Sequence, residues 1–374
     1  MAESKPVIFS FFSGSGFLDL GFEKDGYEIA FVNEISQSFI KAYKYSRAKM
    51  NMPQPKYGYF NFDINDFLNG RKEELRQLVN KTKEQGQLVG FIGGPPCPDF
   101  SVAGKNKGAE GDNGKLSLAY VNLIIDIEPD FFLFENVKGL WSTARHRKFY
   151  EELKSKIIKA GYSVSERLLN ALEFGVPQDR ERILLIGIKN EILLDDVSIS
   201  GEITTFPWNK HILHNADEIK KLPWSETNIF GGDIEISLDE TMASLTVQYW
   251  FNKNDVDNHP NSKSHFIPRG GIEKMRTILE GDVSRKSYKR LHRYRYSPTA
   301  AYGNNEVHLH PYKERRISAA EAMAIQSLPQ EFELPQDMSL TDMFKTIGNG
   351  VPFLLSDGIA KTIKSFLENN ICKS

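Results

Sequence analysis

The chain has 374 residues, 40% hydrophobic and 26% charged, with 47 Lys and Arg against 49 Asp and Glu. That composition suits one sizeable globular domain with a smaller companion and excludes a disordered or fibrous chain. A net charge of −2 announces no general affinity for polyanions, so any basic surface has to be local. The only cysteines, Cys97 and Cys372, exclude a disulfide framework and a cysteine-based zinc site. No apolar run approaches the ~18 residues of a membrane span, and residues 1–5 lack a signal-peptide core. A reducing cytoplasm, with access to the nucleoid, is the expected setting, and it would keep Cys97 a free thiol.

Residues 7–12 are an apolar β-type run followed at once by Ser13-Gly14-Ser15-Gly16. A strand, a Gly-rich turn and a helix start make the first βα unit of a nucleotide-binding sheet, where glycines admit close backbone approach. The third glycine of a dinucleotide fingerprint is absent, which argues against a nicotinamide cofactor. Residues 27–34 read as a second strand ending in Glu34, a carboxylate placed to accept ribose hydroxyls. A further acid follows at Asp63, and residues 71–87 carry Leu75, Leu78 and Val79 at the spacing of a crossover helix.

Residues 88–92 form another buried strand, which runs into Gly93-Gly94-Pro95-Pro96-Cys97-Pro98-Asp99-Phe100-Ser101. The glycines let the chain leave the strand, and three prolines fix φ on both sides of one thiol. A lone cysteine held this stiffly at a strand's carboxyl end reads as a nucleophile mount, since the ligand crevice of an open α/β sheet lies there. Residues 102–115 hold Gly104, Gly108, Gly111 and Gly114 and read as a loop that closes over substrate. Residues 129–137 are a second apolar strand, carrying Glu135. In an extended segment at 174–182, Gln178, Arg180 and Arg182 lie two apart and share a side, just ahead of the apolar strand 183–187. From about 190 to 300 regularity fades. Residues 284–296 hold six Lys and Arg and no acid, interleaved with Tyr, a pattern suited to phosphate contacts and base stacking. Ser318 and Glu321 form a capping-box signature ahead of a helix.

In their order these segments resemble the motifs of the C5-cytosine DNA methyltransferases. Phe12, Gly14 and Gly16 match Phe-x-Gly-x-Gly, with Phe17 where a glycine usually follows, a change expected to narrow the pocket. The Cys97 nonapeptide matches Gly-Pro-Pro-Cys-Gln-x-Phe-Ser, with Pro98 for Gln. Glu135-Asn136-Val137 matches Glu-Asn-Val, and Gln178, Arg180 and Arg182 match Gln-x-Arg-x-Arg. Residues 315–329 match the Arg-x-Leu-Thr-x-Arg-Glu-Ala helix, with Ala320 for the second Arg, and residues 348–352 match the closing Gly-Asn-x-Val-Pro.

The resemblance implies a doubly wound, mostly parallel α/β fold of the S-adenosylmethionine-dependent methyltransferase kind. Residues 1–190 with 330–374 would form a catalytic and cofactor-binding domain, and 191–329 an irregular target-recognition domain. It implies S-adenosylmethionine as cofactor, on Phe12, Gly14, Gly16, Glu34, Asp63, Ile64, Pro96, Leu116, Asn349 and Val351. It implies Cys97, Glu135, Arg180 and Arg182 as catalytic residues. The implied DNA contacts are Ser101, Gln178, Arg285, Lys286, Lys289, Arg290, Arg293 and Arg295. No metal is implied. The expected reaction is methylation at C5 of a flipped-out cytosine in a specific duplex sequence, through a covalent Cys97–C6 adduct. The expected agent is a monomer that shares its DNA site with a restriction endonuclease and forms no stable complex with it.

Two other readings compete. RNA methyltransferases of the tRNA-aspartate branch share the scaffold but carry a Cys-Phe-Thr tripeptide in the target region, and no Cys lies between 97 and 372 here. A non-catalytic DNA-binding regulator on the same fold is disfavoured by the intact set Cys97, Glu135, Arg180 and Arg182.

Overall fold

The structure, a computed structural model, describes residues 5–96, 112–234, 238–268, 272–285, 287–300, 302 and 307–372. Cys97, Ser101, Lys286 and nearly all of the expected closing loop lie outside the described residues. Strand and helix alternate through the first half: β1 (Val7–Phe11), α1 (Phe17–Lys24), β2 (Glu28–Asn33), α2 (Gln37–Lys49), β3 (Gly58–Phe60), α3 (Ile64–Asn69), α4 (Lys72–Lys83) and β4 (Val89–Gly93). There follow α5 (Asp112–Ile127), β5 (Phe131–Val137), α6 (Lys138–Ser142), α7 (Ala144–Lys159), β6 (Tyr162–Asn170), β7 (Gln178–Asp179) and β8 (Glu181–Lys189).

Seven strands share one sheet in the order β3-β2-β1-β4-β5-β8-β6. All neighbours from β3 to β5 are parallel, and β8 runs antiparallel between β5 and β6. β1 and β4 are buried end to end, as continuous apolar strands covered on both faces must be. Alternation along β1 supplies both cores: Val7, Phe9 and Phe11 face the one built with α3, α4, α5 and α7, while Ile8 faces the one built with α14 (Phe353–Asn370). Strand order reverses between β1 and β4, so the crevice of this doubly wound sheet opens at their carboxyl ends.

Between β8 and Ala319 the described elements are short: α8 (Ala216–Lys221), α9 (Glu240–Ser244), α10 (Val247–Lys253), α11 (Ile272–Arg276) and β9 (Ser297–Pro298). Just past β8, Leu193, Ile203, Phe206 and Trp208 pack in the same core as Phe366. α12 (Ala319–Ile325) starts with the expected box: Glu321 N donates to Ser318 Oγ at 3.2 Å, and Ser318 N donates to Glu321 Oε2 at 2.7 Å. With α13 (Leu340–Asn349) it enters a third core that joins Phe17 and Phe39 to Trp250, Met323 and Phe344. α14 then packs on α1, where Gly21 permits an approach so close that a Cβ there would strike the Ser356 backbone. Among the described residues no helix is long and apolar enough to cross a membrane.

Candidate active site

Just past β1, Phe12 takes φ 52°, a left-handed backbone that bulky side chains rarely adopt, and rests edge-on against Tyr120. Gly14 (φ 56°) and Gly16 (φ 78°) complete the turn, and Gly16 caps α1. Glu34 follows the last residue of β2, and its two oxygens accept the N–H groups of Gly14 at 2.9 Å and Ser36 at 2.7 Å. Burial raises the Glu34 pKa while those two amides lower it. Asn61 Nδ2 fixes the same corner by donating to the carbonyls of Glu34 and Ile35 at 2.9 and 2.7 Å. Asp63 caps α3 by accepting from Asn65 N, with Ile64 buried behind it.

The closing segment reaches this turn directly. Thr346 Oγ1 donates to Ser15 Oγ at 2.8 Å across 331 residues of sequence. Asn349 ends α13 exposed, and Val351 is buried two residues on. Leu116 lies half-buried on α5 against the β-sheet core, and Pro96 is exposed where the described segment ends. Phe17 does not narrow a pocket as expected. It is 2% exposed and packs edge-on against Phe332 at 5.0 Å, inside the third core.

Glu135 lies on β5, 7% exposed, under the turn that leaves β4. Gly94 makes room for it: a Cβ there would stand 2.5 Å from Glu135 Oε2. The antiparallel register sets Leu184 opposite Glu135 and Arg182 opposite Val137, so Arg182 is the diagonal neighbour on the same face. Its Nε reaches Glu135 Oε1 at 2.8 Å. Burial raises the Glu135 pKa, and the charges of Arg182 and then Arg180 pull it back. Asn136 Nδ2 donates to Pro95 O at 3.4 Å, tying β5 to the segment that leads into Cys97.

Arg180 is fully buried and spends its guanidinium on backbone: Nη1 donates to Ala300 O at 3.1 Å, Nη2 to Gly348 O at 2.9 Å and to Gly350 O at 3.1 Å. Gln178, also fully buried, accepts from Ala300 N at 2.9 Å and donates to Gln326 Oε1 at 3.0 Å. The expected DNA contact by Gln178 is thereby replaced by an internal one, and Arg180 acts on Glu135 through its field alone. Arg180→Met would leave three carbonyls without their charged donor. An unfolding free energy lower by at least about 2 kcal/mol is expected, read from urea denaturation at unchanged slope.

A family profile of C-5 cytosine-specific DNA methylases matches residues 7–365, and so takes in every strand and loop of this crevice. The chain belongs to that family. Type II methyltransferase M.NmeDI of Neisseria meningitidis serogroup C is 58% identical over 367 residues, 98% of this chain and 85% of its own. M.MthTI of Methanothermobacter thermautotrophicus is 31% identical over 375 residues, 96% of this chain and 98% of its own. Among solved structures, a prophage-encoded DNA modification methyltransferase of E. coli superposes with TM-score 0.65 at 20% identity, covering 98% of this chain and 100% of that one. Spodoptera frugiperda DNMT2 gives TM-score 0.57 at 17% identity over 96% and 100% of the two chains. These two likenesses speak for the fold alone.

In this methylase three of the described basic side chains of residues 284–296, expected to face DNA, make internal contacts. Arg290 is 0% exposed and donates to the carbonyls of Ile278, Met275 and His310. Arg293 forks onto the fully buried Glu280 at 2.7 and 2.9 Å, and Arg295 holds Ser225 O. The cause is the scarcity of regular structure: unpaired carbonyls inside the region need donors, and a guanidinium carries five. Arg285 stays exposed beside Asp282 at 3.5 Å, and Lys289 is half-buried.

The structure also reveals contributors that sequence reasoning passed over. Arg47 on α2 is fully buried, donates to Gly16 O at 2.6 Å, pairs with Glu23 at 2.7 Å and lies over the Tyr43 ring. Among Lys44, Lys49 and other polar neighbours it reads as one more surface cation. Ile35 is 64% exposed beside Glu34, and its only signal was an apolar residue following the strand-end acid.

Proposed function

We propose that this methylase transfers a methyl group from S-adenosylmethionine to C5 of a cytosine flipped out of duplex DNA, as the modification half of a Type II restriction–modification pair. The relatives' description as Type II methyltransferases supports the pairing. The proposed working unit is the single chain, in the cytoplasm. The observation that carries the chemistry is the buried Glu135 carboxyl, gripped by Arg182 beside the turn that leads to Cys97.

The donor set suits S-adenosylmethionine. Each Glu34 oxygen accepts one amide and keeps a second lone pair for a ribose hydroxyl, while exposed Ile35 offers an apolar rim to a purine. Asp63, Ile64, the Phe12–Gly16 turn, Pro96, Leu116, Asn349 and Val351 complete the set. When bound, this cofactor supplies an electrophilic sulfonium methyl group for C5 to accept.

Cytosine C6 is a poor electrophile, so this chain's residues must prepare it. Cys97 adds as thiolate to C6, and the electron pair displaced from the C5–C6 bond moves into the ring toward N3. Glu135, whose proton burial helps retain, donates to N3, accepts from the exocyclic amine and offsets that charge. Arg182 keeps the carboxyl oriented and faces the base carbonyl. With sulfur on C6, C5 is nucleophilic. After methylation N3 returns its proton to Glu135, C5 loses its proton to water, the C6–S bond breaks with return of the electron pair to sulfur, and 5-methylcytosine leaves. Flipping is required because attack on C6 needs access to the ring face. The test is bisulfite sequencing of DNA from cells that express the chain: one short sequence context protected at cytosine is expected, and unmodified DNA would overturn the reading.

A further inference from the structure

Gly350 has φ −62° and ψ 147°, a backbone that any residue adopts, so its conformation gives no reason for glycine. The reason is space. A Cβ built on it would collide with the Phe17 ring at its Cδ2 edge, 2.8 Å from Cγ and 2.9 Å from Cε2. Phe17 has nowhere to retreat: behind it stands Phe332, itself fully buried, with the Arg47 guanidinium 6.0 Å from the centre of that second ring. Gly350 has no freedom either. Its carbonyl accepts from Arg180 Nη2 at 3.1 Å and Gln326 Nε2 at 3.3 Å, and its N–H donates to Thr346 O at 3.0 Å.

We propose that Phe17 and Gly350 are a matched pair of positioning residues that sets the gap between the two halves of the cofactor cradle. On one side lies the Gly14–Gly16 turn and on the other the Asn349–Val351 loop, 333 positions separating Phe17 from Gly350 in sequence. The proposal rests on the cofactor reading above and adds to it. Where the family's motif carries a glycine after Gly16, this chain has an aromatic ring, and the volume of that ring is absorbed by the absent side chain at position 350. Neither residue touches the reacting atoms. Their effect is on how well the closing loop and the turn face one another, so it appears in cofactor affinity and in the KM for S-adenosylmethionine, while kcat at saturation is preserved.

The experiment is a double-mutant cycle on the full chain, reading S-adenosylhomocysteine binding by titration calorimetry and thermal unfolding by circular dichroism. Gly350→Ala is expected to bind about tenfold more weakly than wild type. Phe17→Ala loosens the core by leaving a cavity. The double variant, Phe17→Ala with Gly350→Ala, is expected to bind no more weakly than Phe17→Ala alone, so that the second change is harmless once the ring is gone. Binding by Gly350→Ala within about twofold of wild type, or penalties that simply multiply in the double variant, would overturn the pair. Should Gly350→Ala fail to fold, the melting temperatures decide: a folded double variant supports the pair, and an unfolded one refutes it. Absence of S-adenosylhomocysteine binding by the wild type would instead sink the cofactor reading, with the melting arm still deciding the pair.

Discussion

Cys97→Ala is expected to abolish methyl incorporation into duplex DNA, a loss of more than about 10⁴-fold, the scale on which removal of a nucleophile acts. The loss is this large because the mechanism has no detour. Without sulfur on C6, C5 remains an aromatic carbon too electron-poor to attack a methyl group, and no change in orientation or field repairs that. S-adenosylhomocysteine binding should be unaffected, since Glu34 and the Gly14–Gly16 turn hold their geometry through contacts with one another, Asn61, Arg47 and Thr346, none of which involves Cys97. DNA containing 5-fluorocytosine should trap the wild type as a stable covalent complex, because fluorine cannot leave as a proton does, and the alanine variant should form none. Incorporation of tritiated methyl groups by Cys97→Ala at the wild-type rate would remove the mechanism.

Glu135→Gln should lower kcat by roughly 10²- to 10⁴-fold, the usual worth of a positioned general acid. The amide fits the space below Gly94 and can still accept from Arg182, so the shape survives and the transferable proton does not. The wild-type enzyme should also show a descending limb of activity with rising pH. Burial moves the Glu135 pKa upward, Arg182 and Arg180 draw it partly back, and the protonated form needed at N3 is lost as pH rises through that raised value. The same shift makes ionised Glu135 a cost to the fold, so its contribution to stability diminishes over that pH range. In the glutamine variant this limb should be gone. A variant with kcat close to wild type, or an unchanged pH profile, would show that the carboxyl serves only to hold Arg182.

What could be read from the residues was whatever depends on local pattern. The apolar runs that became β1, β2, β4 and β5 have one stable fate in an alternating chain, burial between two helix layers, and the ends of the last three then fix Glu34, the approach to Cys97 and Glu135. Direction at long range was not legible. Arg290 and Arg293 look like DNA ligands because the groups they satisfy, the carbonyls of Ile278, Met275 and His310 and the carboxylate of Glu280, lie outside the run itself. Arg180 and Arg182 lie two apart, yet Arg182 on β8 grips a carboxylate on β5, and Arg180, just before β8, donates to carbonyls of Ala300, Gly348 and Gly350, all far away in the chain. Nothing local to Gly350 distinguishes a glycine needed for conformation from one needed for room.

The bond between Thr346 and Ser15 carries a consequence for how the molecule comes into being. A ribosome delivers Ser15 first and Thr346 only 331 residues later, so the cradle stays half-built while the residues between them are made. The early strands can collapse on one another as they emerge, but the Ser15 turn gains its Thr346 partner only once α13 docks. A product interrupted before α13 lacks that half of the cradle.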